Sequence, residues 1–464
     1  MSTYRMVFCI GLEILLLAIM MLLLLTHIMR RYLHRQFDAM MKRLVTEPYG
    51  KNLWEGITGI RHMGIQWMME NELRSTKAEA LPKPIGTHRP FPHFDGLLLN
   101  PVQLHRRPVE EFKHVDLKTV LGKKSKRPLV LTMPMMVSAM GYGIALSKPF
   151  SFALAKGTAL VGTAFNTGEG PVLSEHREFA HRMIIQYHAA PWSPKEDVIK
   201  QADMVEIRFG QGANGGNGHL IPTATLPPEV LDDMGLSSRD IDEFVYIPAG
   251  IPGIHRARHL KRLVETLRFM SHGVPIALKL AASHYLEFEL EIALKAGVDV
   301  IVIDGAQGGT HSSPAILTDD FGLPTLSALC RAVRFLKENG YGKDVDLVIS
   351  GGIRTPGDIL KALALGANAV YLGSAALFAA THAQLVETLP FQPPTQIAWA
   401  DGVSRSKYDV QKGAQSLAHF LKSSSLELET GIRALGKTSI RDLTREDLVA
   451  WDPDVARITH LPLV

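Results

Sequence analysis

The sequence predicts an α/β protein, a (β/α)8 TIM barrel preceded by one N-terminal transmembrane helix. Three observations lead to this prediction. A long apolar run lies between residues 7 and 28. From about residue 112 onward, short β-branched runs alternate with helical segments, which is the pattern of a parallel sheet covered by helices. Polar, glycine-containing segments follow five of these runs, where a barrel of this type carries its active site.

The composition indicates a globular protein. Its 464 residues are 46% hydrophobic and 21% charged, without low-complexity bias. The net charge of +4 comes from 50 basic and 46 acidic residues spread along the chain, so no nucleic-acid partner is expected. Cys9 and Cys330 are too few and too far apart for a disulfide framework or a metal cluster. A reducing compartment fits this cysteine usage.

The apolar run from Val7 to Ile28 is long enough to cross a bilayer as a helix. Glu13 is its only charge, lies near the end that reaches the headgroups, and is assigned no role. A secretory signal has a shorter apolar core and a small-residue cleavage site, so this segment is expected to stay attached. Arg5 alone precedes the run, whereas five Lys and Arg residues follow it between 30 and 43. The positive-inside rule therefore places the C-terminal bulk in the cytoplasm.

The chain is expected to divide into four segments: a transmembrane helix at 6–29, a juxtamembrane helical region with a Pro-rich linker at 30–93, the barrel at 94–384 and a C-terminal helical extension at 385–464. The Met-rich stretches of the second segment have the spacing of amphipathic helices, near the membrane or against the barrel wall. In the extension, a packing or oligomer element, Ser439 and Thr444 are candidate helix caps.

The strand candidates of the barrel are eight runs rich in β-branched and apolar residues. They are residues 128–140, 159–165, 184–189, 204–210, 275–281, 298–305, 346–353 and 367–375. In a closed parallel barrel, the loops after the carboxyl ends of the strands share one face, so the polar segments are expected to meet there.

Two glycine-containing segments follow the last two predicted strands. SGGIRTPGD carries Gly351 and Gly352 at the strand end, and LGSAAL carries Gly373 and Ser374 at the start of a helix. Glycines let backbone N–H groups approach a phosphate closely. Phosphate sites of this fold are frequently formed by the loops after strands seven and eight. A phosphate ligand is predicted here, the alternative being two ordinary tight turns.

Three further side chains are candidates for chemistry. Lys279 lies in the apolar run PIALKLA, where strand alternation points it into the barrel mouth and where it needs an anion. That anion is either the N1–C2=O edge of a flavin or a carboxylate such as Glu206 or Asp304. Glu169 in NTGEG is a candidate acid–base group or substrate-positioning group. Gln211 opens QGANGGNGH, which either lines the mouth or is a simple flexible loop.

Over roughly residues 94 to 380 the sequence resembles the FMN-binding synthase domain of glutamate synthase and its stand-alone relatives. The motifs that carry the resemblance, in family order, are SAMGYG, FNTGEG, QGANGGNGH, IALKL, DGAQGGTHSSP and SGGIRTPGDILKALALGANAVYLGSAAL. The resemblance implies FMN, held by Ser138, Ala139, Met140, Asn166, Thr167, Gln211, Lys279, Gly309, Gly351, Gly352, Gly373 and Ser374. It also implies catalytic roles for Glu169, Lys279 and Gln211, and substrate binding by Arg208, Gln211 and Glu169. In that family reduced FMN passes hydride from N5 to 2-iminoglutarate, giving glutamate.

The sequence departs from the family pattern in three ways. The cysteine cluster that binds an iron–sulfur centre in the relatives is missing between Ala376 and Gln396, so no such cluster is expected and a separate electron donor is implied. A glutaminase domain is not recognisable, so the amine is expected from another protein. Where the family has a QGAKPG-type loop, this chain has QGANGG, with Asn214. Where the family has a Lys in the preceding strand, this chain has Arg208, which can restore one charge through a bidentate contact.

The preferred interpretation is a single-pass membrane FMN oxidoreductase, with its catalytic domain on the cytoplasmic side, acting on the C–N bond of a small amino or imino acid. A 2-hydroxy-acid oxidase and a nucleotide dehydrogenase are alternatives. The latter needs a loop cysteine, whereas Cys330 lies in a helical pattern. The third alternative is a non-catalytic, membrane-tethered barrel that binds a flavin or nucleotide for electron transfer or scaffolding and has lost its substrate pocket. His255 and His259 have metal-ligand spacing but lack a third ligand, so no metal is expected.

Overall fold

The computed structural model describes residues 2–76, 78–236, 243–311, 313–382, 384 and 395–464. The chain separates into two compact units, Met1–Leu81 and Pro82–Val464. The segment 82–93, which the sequence assigned to the linker, therefore makes its contacts within the second unit.

The first unit consists of helices. Its helices are Ser2–Thr46, Leu53–Met63 and Ile65–Arg74. Over Tyr4–Thr46 the first helix is long and apolar enough to span a membrane, and no part of its most apolar window is buried by protein. The predicted N-terminal apolar helix is thus confirmed. Gly64, with φ of 78°, separates the other two helices, a conformation that glycine adopts without steric cost.

The second unit is built on eight parallel strands. These are β1 Met135–Val137, β2 Ala164–Asn166, β3 Arg182–Tyr187, β4 Met204–Arg208, β5 Ile276–Ala281, β6 Val300–Asp304, β7 Asp346–Ser350 and β8 Ala369–Leu372. Their order in the sheet is β1-β8-β7-β6-β5-β4-β3-β2. Between β1 and β2 the described residues form no ladder, and the Thr163 hydroxyl donates a hydrogen bond to the Met135 carbonyl there. The predicted (β/α)8 barrel is confirmed as a nearly closed one.

Helices follow the strands on the outside. They are Lys148–Val161, Ser174–Phe179, Glu196–Ile199, Ala257–Met270, Leu286–Ala296, Thr325–Glu338, Pro356–Leu365 and Ser374–Thr381. Their ends follow from local sequence. Ser147 caps the first by accepting the Phe150 N–H, and Thr355 forms a capping box with Asp358. Gly297 and Gly366 end helices in the left-handed conformation.

The barrel interior is filled by apolar side chains that alternate along the strands. A hairpin of Thr119–Leu121 and Leu129–Leu131 packs Leu121 and Leu129 against these inward residues, at the amino ends of the strands. The predicted strand 128–140 forms two elements, the hairpin strand Leu129–Leu131 and the barrel strand β1. Pro134 lies between them. The predicted strand 159–165 begins inside the preceding helix, which ends at Gly162.

The C-terminal residues are packed onto the barrel. The helix Val410–Ala434 lies against Lys148–Val161, and the contact is close because a Cβ at Gly157 would lie 2.9 Å from the Ala414 carbonyl oxygen. Strand Leu448–Ala450 pairs antiparallel with Leu97–Leu99. Ser439 and Thr444 cap short helical turns as predicted. The described residues of the extension therefore pack against the barrel, and an oligomer role for the extension stays a prediction.

Candidate active site

A cavity of about 530 Å³ opens at the carboxyl ends of the barrel strands. It brings together most of the predicted site residues: Ser138, Ala139, Met140, Glu169, Gln211, Lys279, Gly309, Gly351, Gly352, Gly373 and Ser374. Asn166, Thr167 and Arg208 do not line it and instead contact residues that do. Sequence reasoning did not find Tyr371, Gln186 or Ile85, which also line the cavity.

The loops after β7 and β8 form a cradle in which backbone comes close to the cavity. Gly351 and Gly352 have φ of 106° and 73°, so each occupies a region that other residues rarely adopt. A Cβ at Gly351 would lie 2.7 Å from Thr325 Oγ1 and 3.0 Å from the Gly308 nitrogen. Gly373 immediately precedes the helix Ser374–Thr381. Free N–H groups at such helix starts, together with side-chain-free glycines, suit a phosphate.

Lys279 lies inside the barrel on β5 and is 1% exposed. Its Nζ is 3.9 Å from Asp304 Oδ2, so the pair is ionic but too long for a hydrogen bond. Asp304 Oδ2 accepts the Gly212 N–H at 3.0 Å, while Oδ1 is buried without a partner among the described residues. Of the two carboxylates considered for Lys279, Asp304 is the neighbour. A bound anion at this end of the cavity would share the ammonium with it.

Glu206 is fully buried on β4 and belongs to a different network. Its carboxylate accepts hydrogen bonds from Asn166 Nδ2 at 3.0 Å, Gln186 Nε2 at 2.7 Å and the Tyr371 hydroxyl at 2.8 Å. Burial raises the pKa of Tyr371 well above its usual value, and the charge of Glu206 raises it further. A buried carboxylate is tolerable only with such partners. The network joins β2, β3, β4 and β8 beneath the cavity floor.

Asn166 and Thr167 act through this network. The Asn166 side-chain oxygen accepts the Gly168 N–H at 3.0 Å, which orders the start of the NTGEG loop. Thr167 Oγ1 accepts the Gln186 N–H at 3.1 Å. Both residues therefore position the loop that carries Glu169, and direct contact of either with a cofactor remains a prediction.

Glu169 is held from two sides. Arg208 Nη1 lies 2.6 Å from Glu169 Oε1, with only 6% and 11% of the two side chains exposed. Trp192 Nε1 donates to the Glu169 carbonyl at 2.6 Å, and Arg208 Nη2 donates to Asn214 Oδ1 at 3.3 Å. Burial, with the Arg208 charge adding to it, lowers the pKa of the neighbouring His188 to about 3. His188 is therefore neutral near pH 7.

This fold and site define a (β/α)8-barrel protein with a glycine cradle at the last two strands and a buried lysine in the mouth. Among solved structures, the chain is similar to a variant of a chimeric (S)-mandelate dehydrogenase, with a TM-score of 0.51, 16% identity, and coverage of 77% of this chain and 88% of that one. A Pediococcus acidilactici protein described as a lactate oxidase gives a TM-score of 0.50, 16% identity, and coverage of 77% and 84%. At these identities the similarity shows the fold alone.

Sequence similarity is more specific. The family model for the conserved region in glutamate synthase matches residues 99–438. The glutamate synthase large subunit-like protein of Rhizobium meliloti is 31% identical over 405 residues, covering 82% of this chain and 89% of that protein. The archaeal-type glutamate synthase (NADPH) of Thermotoga maritima is 30% identical over 390 residues, covering 77% and 74%. The chain belongs to the glutamate synthase family and is an oxidoreductase of that type.

Proposed function

We propose that this chain is an FMN-dependent oxidoreductase that acts on the C–N bond of an amino or imino acid, as in the conversion of 2-iminoglutarate to glutamate. One observation carries the proposal. A single cavity brings together the glycine cradle at Gly351 and Gly352, the buried cation Lys279 and the carboxylate Glu169. The glycine cradle suits a phosphate, the lysine suits an anionic ring edge, and the carboxylate suits an amino group.

The residues present fit FMN. The cradle excludes side chains, because a Cβ at Gly351 would collide with Thr325, and so leaves backbone N–H groups for a phosphate. Ser138 lies next to Gly373, whose Cβ would be 3.9 Å from that of Ser138, so the β1 loop borders the same cradle. FMN, when bound, supplies hydride transfer to or from the carbon of the substrate C–N bond. Lys279 would stabilise negative charge at the ring edge.

Glu169 is the candidate group for the substrate. Glu169 lines the cavity, and Arg208 forms an ion pair with its carboxylate that fixes the orientation of the side chain. A fixed carboxylate at this wall suits an ammonium or iminium group and can accept or return its proton. Arg208 is proposed to act in substrate binding through Glu169 and Asn214. Gln211, which also lines the wall, supplies an amide for the substrate or ring.

Partners and location belong to the same proposal. A separate electron donor and an ammonia-supplying protein are proposed, without an iron–sulfur cluster in this chain. The name of the Thermotoga maritima relative includes NADPH, which makes a nicotinamide-dependent reductase the first donor to test. The helix within Tyr4–Thr46 is proposed as a single membrane span, with the barrel on the cytoplasmic side.

The test is the absorbance spectrum of the detergent-purified full chain, with mass identification of the released cofactor. Flavin bands and released FMN are expected, followed by anaerobic bleaching of the flavin with candidate amino acids. A protein that keeps FMN but is reduced by no amino acid would support the electron-transfer alternative. A colourless protein that fails to bind added FMN would contradict the proposal.

A further inference from the structure

The segment Pro82–Asp95, here called the strap, contacts the cavity before the barrel begins. Residues Pro82 and Lys83 pair antiparallel with Ser313 and Pro314 in the loop after β6. The Ile85 N–H donates to the Thr310 carbonyl at 3.0 Å, and Ile85 lines the cavity. The strap precedes residues 99–438, which match the family model.

Ile85 has an unusual backbone. Its φ is 74°, in the left-handed region that a β-branched residue rarely adopts. Such strain persists only where the surroundings enforce it, and it concentrates at ligand clamps and active sites. The enforcing contact is visible at Gly309, where a Cβ would lie 1.9 Å from the Ile85 carbonyl oxygen. Gly309, predicted as a cofactor residue, thus also makes room for the strap.

Polar contacts hold the strap on both sides of Ile85. Lys83 Nζ forms an ion pair with Asp319 Oδ2 at 2.7 Å, where both side chains are almost fully buried. Thr87 Oγ1 donates to Asp319 Oδ1 at 2.7 Å, and Arg89 pairs with Asp320. All these partners lie in the helix Ala315–Asp320, so the strained residue is fixed between two anchored ends.

The far end of the strap reaches the other half of the cradle. His93 is 9% exposed, and its Nδ1 lies 3.0 Å from Arg354 Nη2. Arg354, which lines the cavity, also donates to Asp95 at 2.6 Å. A Cβ at Gly352 would be 3.3 Å from His93 Nε2, an atom that is buried without a hydrogen-bond partner among the described residues. The strap thus connects the loops after β6 and β7.

We propose that the strap is part of the cofactor site, with Ile85 as a binding residue held against the flavin and His93 as a positioning residue for the Gly351–Gly352 loop. This inference rests on the proposed FMN function. The Ile85 N–H is already used by the Thr310 carbonyl in the loop after β6, and Ile85 itself lines the cavity. Holding a strained residue there places an apolar wall opposite the flavin.

The first test uses Ile85→Gly in the full chain, with FMN and riboflavin as probes. Glycine relieves the strain, so the thermal midpoint of the flavin-free protein stays equal or rises. The lost wall raises Kd for both flavins about tenfold. His460→Gly is the matched control, because His460 also has a positive φ, 53°, at the end of Pro453–Thr459. In that control Kd stays unchanged. Ile85→Asn, which tolerates this backbone, provides a second variant with the wall removed.

The second test separates the role of His93. His93→Ala is expected to weaken FMN about tenfold and to leave riboflavin, which lacks the phosphate, unaffected. His93→Gln, which can still accept from Arg354, should recover part of the FMN affinity. Wild-type protein that binds FMN, together with unchanged Kd in the Ile85 and His93 variants, overturns the strap inference alone. Wild-type protein that binds no FMN overturns the proposed function and the inference together.

Discussion

The ionised residues around the cavity occur in pairs, and each pair joins a group on the wall to a fixed partner. Lys279 lies 3.9 Å from Asp304, and Glu169 lies 2.6 Å from Arg208. Removing one member of a buried pair leaves the other uncompensated, which is costly, whereas removing both is often tolerated. Single and double substitutions should therefore behave differently at these sites.

Lys279→Ala should weaken FMN by about tenfold or more and make its reduction potential more negative, because the cation that stabilises the reduced ring edge is lost. The measurements are a flavin titration and a spectroelectrochemical potential. Lys295→Ala, at an exposed pair with Glu291, is the control that should change neither. Normal flavin content, potential and activity in Lys279→Ala would show that the role assigned to Lys279 is wrong.

Glu169→Gln should retain bound flavin but reduce kcat/KM by about 10² to 10⁴, as expected for loss of a positioned acid–base group. It should also lower stability, because Arg208 stays buried without its partner. The double variant Glu169→Gln with Arg208→Met should regain stability but not activity. Thermal midpoints and steady-state kinetics of the wild type and the two variants distinguish the two effects. Full activity in Glu169→Gln would remove this residue from the mechanism.

His176 predicts a pH dependence of stability. It is 1% exposed, accepts the Leu173 N–H at Nδ1, and has Nε2 3.1 Å from Ser151 Oγ. Burial, the largest cause, lowers its pKa from 6.5 to about 4. The unfolded chain therefore binds a proton at higher pH than the folded chain does. The stability that the neutral, buried His176 contributes is complete above pH 6.5 and is lost as the pH falls toward 4. The loss amounts to about 3 kcal/mol at most.

Denaturant unfolding between pH 7 and pH 4 tests this expectation. His176→Gln should show a shallower loss of stability on acidification than the wild type, while the exposed His284→Gln should follow the wild type. Equal slopes in all three proteins would mean that His176 does not titrate with the inferred sign.

At the scale of elements, the loop after β7 depends on glycine. Gly351→Ala places a methyl group against Thr325 and imposes an unfavourable φ of 106°, so FMN affinity should fall about tenfold. Gly357→Ala is the matched control in the following helix, where the new methyl has no neighbour closer than 3.6 Å. The measurement is the FMN dissociation constant of both variants by flavin titration. Equal affinities would place the phosphate outside this loop.

The barrel was predictable from sequence because the buried parallel strands lie in short apolar or β-branched runs, five of which are followed by polar, glycine-containing segments. The cradle followed from the fold, since the carboxyl ends of parallel strands share one face. The Glu206 network did not, because Tyr371 and Gln186 reach Glu206 only when β8 and β3 close around β4. The position of Ile85 at the cavity was not predictable either, because it depends on the tertiary fold and not on any local sequence pattern. Arg208 was found by its position in the motif, but its place behind Glu169 needed the structure.

At the scale of the whole molecule, the first unit differs from the second in having no core of its own along its longest helix. The apolar side chains of this helix between Tyr4 and Ile28 are exposed, with Leu22 and Leu23 62% and 64% exposed, and water disfavours such exposure. A lipid environment removes this cost over the apolar part of the helix. For the proposed membrane span, the cations that follow it are the feature expected to set the orientation.

The full chain should sediment with membranes, resist alkaline washing and require detergent for release. A C-terminal fusion to a reporter that is fluorescent only in the cytoplasm should fluoresce. Replacing Arg30, Arg31 and Arg35 by Gln should reduce this signal, since cations close to the span set its orientation. Arg61→Gln, far from the span, is the control and should have no effect. Release by alkaline washing alone would show that the helix does not span the bilayer. Retention in membranes without reporter fluorescence would show the opposite orientation.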